Sequence, residues 1–306
     1  MDIKHVIVSF LLSFIFLFFF TYIIFGRQLV SENFFQGKNQ EIFLADLSIG
    51  LQDSVIENKS ENIFFPDINV KSVISVESNL KDFNKIIFEK DSNIQLPIAS
   101  LTKLMTAIVV LDNYKLSDVL EIDKVAELYY SQTKQNLKVG DEMKVENLLD
   151  MILIESNNKA AYTLSELMGE NKFVHLMNQK AENLGMQNTF FVEPTGLSAK
   201  NISTASDLVI LAQHILKSYP KIANISKIKE LYIPDLGIIE NTNQLLKEFP
   251  DIICSKTGFT TIAKGCLLLV LTNPSNQNYI INIILGADDR FSEMKKLINW
   301  SNVVYN

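Results

Sequence analysis

The chain is poor in cysteine and histidine, and it contains no run of basic residues. Its 306 residues include two cysteines, Cys254 and Cys266, and three histidines. Two cysteines exclude a disulfide-stapled miniprotein and a cysteine-rich zinc module. The net charge is −7, which argues against a nucleic-acid partner because phosphate contacts need clustered Lys and Arg. With so few histidines, a serine or threonine nucleophile would need a different base.

One apolar run, Val6–Phe25, is long enough to cross a membrane. It is interrupted only by Ser9, Ser13, Thr21 and Tyr22. At about 1.5 Å per residue, twenty helical residues match a ~30 Å hydrocarbon core. A cleaved signal peptide is the alternative, but it would have a shorter apolar region followed by a small-residue cleavage site. We therefore expect residues 1–26 to form an uncleaved N-terminal transmembrane anchor.

The rest of the chain divides into a polar segment and a folded domain. Residues 27–62 are mixed in charge and lack a sustained period, which predicts a stalk or linker. Residues 63–306 hold the periodic apolar segments. Strands are predicted at Val70–Val76, Asn84–Glu89, Ile252–Thr257, Cys266–Thr272 and Tyr279–Leu285. Helices are predicted at Ser100–Leu111, Val145–Ile154, Asn158–Met168, Lys172–Leu184, Ser206–Lys217 and Phe291–Val304. This order predicts an α+β fold with one antiparallel sheet, built from both ends of the domain and flanked by helices.

The first candidate site is a serine and a lysine on one predicted helix. Ser100 lies three residues before Lys103, so the two share a helix face. The helix is apolar almost all round and should be buried; burial lowers the pKa of a lysine and favours the neutral amine. A neutral amine can accept the serine proton and make the hydroxyl a nucleophile. Ser-x-x-Lys occurs seven times in the sequence, but only here does it begin a predicted buried helix.

Two further motifs carry polar side chains at element boundaries. Ser156-Asn157-Asn158 lies between two predicted helices, where it could relay a proton and hold an amide, or simply cap a helix. Lys256-Thr257-Gly258 ends a predicted strand. Alternation should turn Lys256 and Gly258 to one face and Thr257 to the other. Gly258 would let a substrate backbone lie close to that strand.

In this order and spacing, the three motifs resemble those of the penicillin-binding proteins and serine β-lactamases. Several further segments are similar to the low-molecular-mass D-alanyl-D-alanine carboxypeptidases, and together they span about residues 64–303. These segments are Pro97–Thr106, Leu184–Phe190, Pro194–Leu197, Ser203–Leu208, Asn243–Leu246 and Leu285–Ala287. The resemblance implies a β-lactamase/transpeptidase-like fold with a helical subdomain. It also implies a serine peptidase that removes the terminal D-alanine from peptidoglycan stem peptides and is acylated by β-lactams.

The resemblance also implies a role for each matched residue. Ser100 would be acylated, Lys103 would be its base, and Ser156 would pass a proton to the leaving amine. Asn158 would hold the substrate backbone, and Lys256 and Thr257 would bind the terminal carboxylate. Arg290 lies where the family often has an arginine near that carboxylate; a surface arginine at the start of a helix is the alternative. The backbone N–H groups of Ser100 and Phe259 would form the oxyanion hole. No metal or cofactor is implied. Since the substrate lies outside the cytoplasmic membrane, the catalytic domain is expected to be extracytoplasmic, on a single-pass anchor.

Some features depart from that pattern or leave alternatives open. Glu193 stands where the family usually has Asn, close to where some β-lactamases keep a deacylating glutamate; we interpret it as a solvated loop residue. Cys254 and Cys266 could face each other across a hairpin as a disulfide, although two buried free thiols are the default expectation. A D,D-endopeptidase, a β-lactamase and an inactive membrane-tethered binding protein remain alternatives.

Overall fold

The computed structural model of the chain describes residues 66–81, 84–128, 137–273 and 275–305. The expected anchor (1–26) and stalk (27–62) lie outside these ranges. Within them, no helix combines the length and the hydropathy that crossing a bilayer requires.

In the described part of the chain, strands come first, most helices follow, and a second group of strands precedes the last helix, which is the predicted broad order. The strands are β1 Ser72–Ser78, β2 Asn84–Lys90, β3 Leu96–Pro97, β4 Val119–Glu121, β5 Glu142–Lys144, β6 Ile202–Ser203, β7 Glu230–Ile233, β8 Gly237–Glu240, β9 Ile252–Thr260, β10 Lys264–Thr272 and β11 Tyr279–Ala287. The α-helices are α1 Thr102–Asn113, α2 Val145–Leu153, α3 Asn158–Glu166, α4 Glu170–Asn183, α5 Ala205–Ser218, α6 Pro220–Ser226 and α7 Arg290–Tyr305. Short 3₁₀ helices span Ala99–Leu101, Lys124–Leu128 and Gln244–Lys247.

The main sheet has five strands in the order β2-β1-β11-β10-β9, and every neighbouring pair is antiparallel. Strands from the two ends of the domain meet where β1 pairs with β11, from Ser72 opposite Leu285 to Ser78 opposite Tyr279. The predicted α+β fold with one antiparallel sheet is therefore confirmed. The two-stranded pairs β3–β6, β4–β5 and β7–β8 and helix α6 were not predicted.

Both faces of the sheet are buried, which explains why strand β10 is a continuous run of apolar residues. Because side chains alternate along a strand, Leu268 and Val270 join the core shared with α1 to α6. Leu267, Leu269 and Leu271 join a second core against α7, which contributes Met294, Leu297 and Ile298. The sheet is thus a middle layer between two sets of helices.

Helix α1 lies at the centre of the first core. Every residue from Thr102 to Val110 is buried, and the helix packs against α2, α3, α4 and α6. This burial was predicted from a helix that is apolar all round. It forces Lys103 into the interior.

The two cysteines are buried and free, as the default expectation had it. The alternative of a disulfide across the hairpin is wrong because of the strand register. Cys254 pairs with Val270, whereas Cys266 pairs with Gly258. The two thiols therefore lie at separate rungs of the β9–β10 ladder, and burial raises the pKa of each to about 11.

Candidate active site

Ser100 lies in the 3₁₀ turn Ala99–Leu101, immediately before α1. The turn is tightly fixed: Ala99 has a left-handed backbone, φ 47°, and its carbonyl oxygen lies only 2.0 Å from where a Cβ on Gly196 would be. Left-handed conformations in non-glycine residues are costly and persist where the surroundings enforce them. The partly exposed Ser100 side chain is thereby held at the surface end of a buried helix.

The Lys103 amine lies 3.1 Å from Ser100 Oγ, and it is fully buried. Its Nζ donates to Asn158 Oδ1 at 2.7 Å and to the Thr195 carbonyl at 2.6 Å. A neutral amine has two N–H groups, so these two acceptors use both and leave the lone pair for the serine hydroxyl. Burial lowers the Lys103 pKa to about 7, against a rise from the Glu193 charge. The amine can therefore serve as a base near neutral pH.

Ser156, Asn157 and Asn158 form the junction of α2 and α3. Ser156 is partly exposed and has a left-handed backbone, φ 65°. Asn157 caps α3 by accepting from Ala160 N at 3.0 Å, and its amide donates to the buried Glu155 at 2.7 Å. The capping interpretation of this motif is therefore confirmed for Asn157. The proton relay and the binding of a substrate amide stay predictions. Asn157 caps the helix, while Asn158 contacts the lysine.

Lys256 and Gly258 lie on the sheet face that meets the nucleophile, as strand alternation predicted. Lys256 pairs with Leu268, a member of the α1 core, and residues directly opposite in a sheet share a face. A Cβ on Gly258 would lie 3.0 Å from Ser100 N. Gly258 was predicted to make room for a substrate backbone; what lies against it is the nucleophile turn itself.

Three basic side chains, those of Lys103, Lys256 and Arg290, interact electrostatically at this site. Burial lowers the Lys256 pKa well below its ordinary value, and the charges of Lys103 and Arg290 lower it further. Arg290 begins α7; its Cβ lies 3.0 Å from where a Cβ on Gly265 would be, and burial lowers its pKa too. An anion bound among these groups would relieve their mutual repulsion.

The Thr257 hydroxyl is hydrogen-bonded to Thr242, a residue outside strand β9. The two hydroxyl oxygens are 2.5 Å apart, and Thr242 N donates to the Ile154 carbonyl at 3.1 Å, next to the Ser156 junction. Thr242 therefore ties the Lys-Thr-Gly strand to the second motif. Phe259 follows Gly258 on β9, opposite Gly265, with its side chain exposed.

Glu193 is not the solvated residue that the sequence suggested. It is 9% exposed, and its carboxylate accepts hydrogen bonds from the backbone and side chains of residues 195–201. Sequence spacing relates Glu193 to the other motifs but does not indicate these donors, because most of them are backbone N–H groups.

Two residues of the site, Thr195 and Thr242, were not predicted from the sequence. Thr195 acts through its carbonyl oxygen, which leaves no trace in residue type, although its segment Pro194–Leu197 was part of the resemblance. Thr242 immediately precedes a second such segment, Asn243–Leu246. The sequence similarity to the family was therefore noted only from the next residue onward.

The site defines a class of enzyme. It has a serine hydroxyl beside a buried, partly neutral lysine and a Lys-Thr-Gly strand at the edge of a five-stranded antiparallel sheet. These features are typical of the serine acyl-enzymes that use lysine as base, a class that includes the penicillin-binding proteins. Comparison with known families gives the finer assignment. The chain belongs to the D-alanyl-D-alanine carboxypeptidase family of serine peptidases, whose profile matches residues 58–289.

Individual relatives agree with this family. A D-alanyl-D-alanine endopeptidase from Pseudomonas aeruginosa is 36% identical over 231 residues, covering 71% of this chain and 73% of the relative. A D-alanyl-D-alanine carboxypeptidase from Bacillus subtilis is 31% identical over 245 residues, covering 76% and 61%. The ampicillin-bound penicillin-binding protein D2 of Listeria monocytogenes is similar in structure, with a TM-score of 0.68, 26% identity and coverage of 76% and 97%. The chain is therefore a serine-type D-alanyl-D-alanine peptidase.

Proposed function

We propose that the chain removes the terminal D-alanine of peptidoglycan stem peptides through an acyl-enzyme on Ser100. The observation that carries this proposal is the Lys103 amine, buried and 3.1 Å from the serine oxygen. A hydroxyl needs a base to attack a carbonyl, and this amine, with a pKa lowered to about 7, can take its proton.

In this proposal the first half of the reaction is acylation, and the short distance between Lys103 Nζ and Ser100 Oγ supports its first step. Lys103 Nζ takes the Ser100 proton while Oγ attacks the carbonyl carbon of the penultimate D-alanine. Negative charge develops on the carbonyl oxygen, which would face the backbone N–H groups of Ser100 and Phe259. The C–N bond then breaks, and the leaving amine receives the proton from Lys103 by way of the Ser156 hydroxyl.

Substrate binding in this proposal uses the amide of Asn158 and the cationic face of β9. Lys256, Thr257 and Arg290 would bind the terminal carboxylate, since an anion stabilises neighbouring buried cations. In the second half, water attacks the acyl ester carbonyl and Lys103 takes its proton. The ester C–O bond then breaks, and Lys103 returns the proton to Ser100 Oγ, which restores the hydroxyl and the neutral amine. β-Lactams would acylate the same serine and hydrolyse slowly.

An endopeptidase acting on cross-linked stem peptides is the second candidate. It is favoured by the relative from Pseudomonas aeruginosa, which bears that name and is more identical to this chain than the Bacillus subtilis carboxypeptidase is. Both reactions acylate the same serine with a D-alanine carbonyl, so the residues described above do not separate them. They differ in the leaving group.

The two activities are separated by incubating the full chain with two defined muropeptides, a monomeric pentapeptide and a cross-linked dimer. We expect release of D-alanine from the monomer, with no release by the Ser100→Ala variant. Cleavage of the dimer alone would assign the endopeptidase activity. If neither substrate is cleaved and penicillin leaves no adduct on Ser100, the inactive binding protein becomes the better interpretation.

We also propose a single-pass anchor at residues 1–26, a linker at 27–62 and an extracytoplasmic catalytic domain at 63–306. The 20-residue apolar run Val6–Phe25 supports the anchor because its helical length matches a bilayer core. The orientation is supported by the substrate, since peptidoglycan lies outside the cytoplasmic membrane.

A further inference from the structure

Glu193 is the most heavily hydrogen-bonded carboxylate near the site. One oxygen accepts from Thr195 N at 2.6 Å and from Thr195 Oγ1 at 2.5 Å. The other accepts from Gly196 N at 2.7 Å, Ser198 N at 3.2 Å and Asn201 Nδ2 at 2.8 Å. Five donors saturate a buried carboxylate. The carboxylate therefore shapes the segment 193–201 from within, as a core for its backbone.

That segment is fastened to the first turns of α1 at three points. The Thr195 carbonyl accepts from Lys103 Nζ at 2.6 Å, and the Pro194 carbonyl accepts from Thr106 Oγ1 at 2.6 Å. Asn201 Nδ2 also donates to Thr102 Oγ1 at 3.1 Å. The position of the lysine acceptor therefore depends on a loop whose conformation Glu193 fixes.

Glu193 also contributes charge beside the base. On β9, Lys256 interacts with the charge of Lys103, and also with that of Arg290 at the start of α7. Glu155, just before α3, has a carboxyl pKa raised by burial and accepts from Asn157, the residue before the lysine acceptor Asn158. Against burial, which lowers the Lys103 pKa, Glu193 is the carboxylate whose charge raises it. Solvent and salt screen the interaction of buried charges only weakly. Removal of the Glu193 charge should therefore lower the pKa of the Lys103 amine.

We propose that Glu193 is a positioning residue for the Lys103 base: it fixes the Thr195 carbonyl against the amine and supplies a negative charge beside it. This inference rests on the proposed roles of Ser100 and Lys103. It differs from a role as the base that activates water in acyl-enzyme hydrolysis. A carboxylate with five donors on its two oxygens is already committed to the loop.

The test compares two substitutions of Glu193 with a matched control. Glu193→Gln removes the charge and turns one acceptor into a donor, whereas Glu193→Asp keeps the charge and shortens the side chain. The control is Glu77→Gln. Glu77 is also buried, and one of its oxygens accepts from three asparagine amides, those of Asn273, Asn276 and Asn278. Glu77 pairs with Ile280 across β1 and β11, at the opposite end of the sheet from Gly258.

The measurement is the rate of Ser100 acylation by fluorescent penicillin in the full chain, from pH 5 to 9, with thermal unfolding recorded for each variant. For Glu193→Gln we expect a fall of at least about tenfold at pH 8, since buried donors lose a charged acceptor. The midpoint of the acidic limb should move down by about one pH unit because an opposite charge is lost. Glu193→Asp should keep the wild-type midpoint, and Glu77→Gln should lower the melting temperature without moving the midpoint.

Three results would overturn the inference and leave the proposed function standing, provided that the wild type is acylated on Ser100. One is a folded Glu193→Gln variant with the wild-type midpoint. Another is Glu77→Gln moving the midpoint as much as Glu193→Gln does. The last is normal acylation by Glu193→Gln followed by failure to hydrolyse the adduct, which would make Glu193 the hydrolytic base. A wild type that is not acylated on Ser100 would instead contradict the proposed function.

Discussion

At the scale of single residues, burial turns an ordinary lysine into a base. Lys103 is fully buried, and its amine has three close polar neighbours, Ser100, Asn158 and Thr195. None of the three carries a charge, so nothing in direct contact offsets the desolvation that favours the neutral amine. The sequence predicted a buried lysine on an apolar helix, and the complete burial of Lys103 confirms that; burial lowers its pKa to about 7.

The acylation rate should therefore fall below neutral pH. Lys103 must be neutral to take the serine proton, and with a pKa of about 7 its neutral fraction drops about tenfold for each pH unit below that value. We expect an acidic limb with its midpoint near 7, measured with fluorescent penicillin. Lys103→Arg, which cannot lose its proton, should be acylated at least about a thousandfold more slowly, as loss of a catalytic base implies. A wild-type rate that is flat from pH 5 to 8 would contradict the role of the amine.

Thr242 gives a second prediction at this scale. Thr242→Val keeps the shape of the side chain and removes its contact with the Thr257 hydroxyl, so the carboxylate site should loosen. We expect the KM for a pentapeptide to rise about fivefold, the effect of about one lost hydrogen bond, with little change in the melting temperature.

The control for Thr242 is Thr163→Val. Thr163 is buried on α3, and its Oγ1 has no hydrogen-bond partner within the described part of the chain, so its removal costs no bond. Steady-state kinetics and thermal melts on both variants provide the comparison. An equal rise in KM for the two would show that Thr242 has no specific role in binding.

Residue-level prediction from the sequence named three side chains that the structure brings together, but it missed the burial of Glu193, the Thr242 hydroxyl and the backbone groups. Ser100, Lys103 and Asn158 could be named because their chemistry is in the side chain. The Thr195 carbonyl and the donors around Glu193 belong to the main chain, which every residue type shares. Their positions emerge only when the loop is folded.

At the scale of elements, the nucleophile turn depends on glycine in a neighbouring loop. Gly196 has φ 86°, and a Cβ there would lie 2.0 Å from the Ala99 carbonyl oxygen. Gly140 has nearly the same backbone, φ 88°, with no atom within 4 Å of its hypothetical Cβ. The pair separates the cost of a left-handed backbone from the cost of a clash with the turn.

Gly140→Ala should lower the free energy of unfolding by about 1 kcal/mol, the cost of the unfavourable φ. Gly196→Ala should lower it by about 3 kcal/mol or more, because the turn must also shift. Acylation of Ser100 should be reduced in the second variant alone. Urea unfolding and penicillin labelling provide the two readouts, and equal losses in both variants would show that the contact with Ala99 is unimportant.

Element prediction succeeded where burial left a pattern. Helix α1 and strands β9 to β11 are buried, and their apolar runs were found. The β7–β8 hairpin was not predicted, because Tyr232 and Ile238 pair across it while both remain exposed. A strand with little burial shows weak alternation.

At the scale of the whole molecule, the main sheet is built from strands of both ends of the domain, and the segments that carry the sequence motifs meet beside it. Lys256 lies on an edge strand, Ser100 precedes the central helix, and Asn158 begins another helix. Spacing along the chain cannot show that these segments meet. The family resemblance implied it, and the contacts of Lys103 and Gly258 show it for Ser100, Asn158 and β9.

The proposed anchor makes a prediction for the intact protein. The full chain should sediment with membranes and be released by detergent but not by high salt, because about 20 apolar residues bind a bilayer far more strongly than charges do. A variant lacking residues 1–26 should appear in the soluble fraction and still be labelled by penicillin. Protease added outside intact cells should cut the catalytic domain. Salt release of the full chain would contradict the anchor, and protection from protease would contradict the orientation.

The central claim is that Ser100 is the residue acylated, with Lys103 as its base. The most direct measurement is intact-mass analysis and peptide mapping of the native full chain after exposure to penicillin, beside Ser100→Ala and Lys103→Arg. We expect one adduct per chain, located on Ser100, absent from Ser100→Ala and strongly reduced in Lys103→Arg. An adduct on another residue, or one that persists in Ser100→Ala, would contradict the claim.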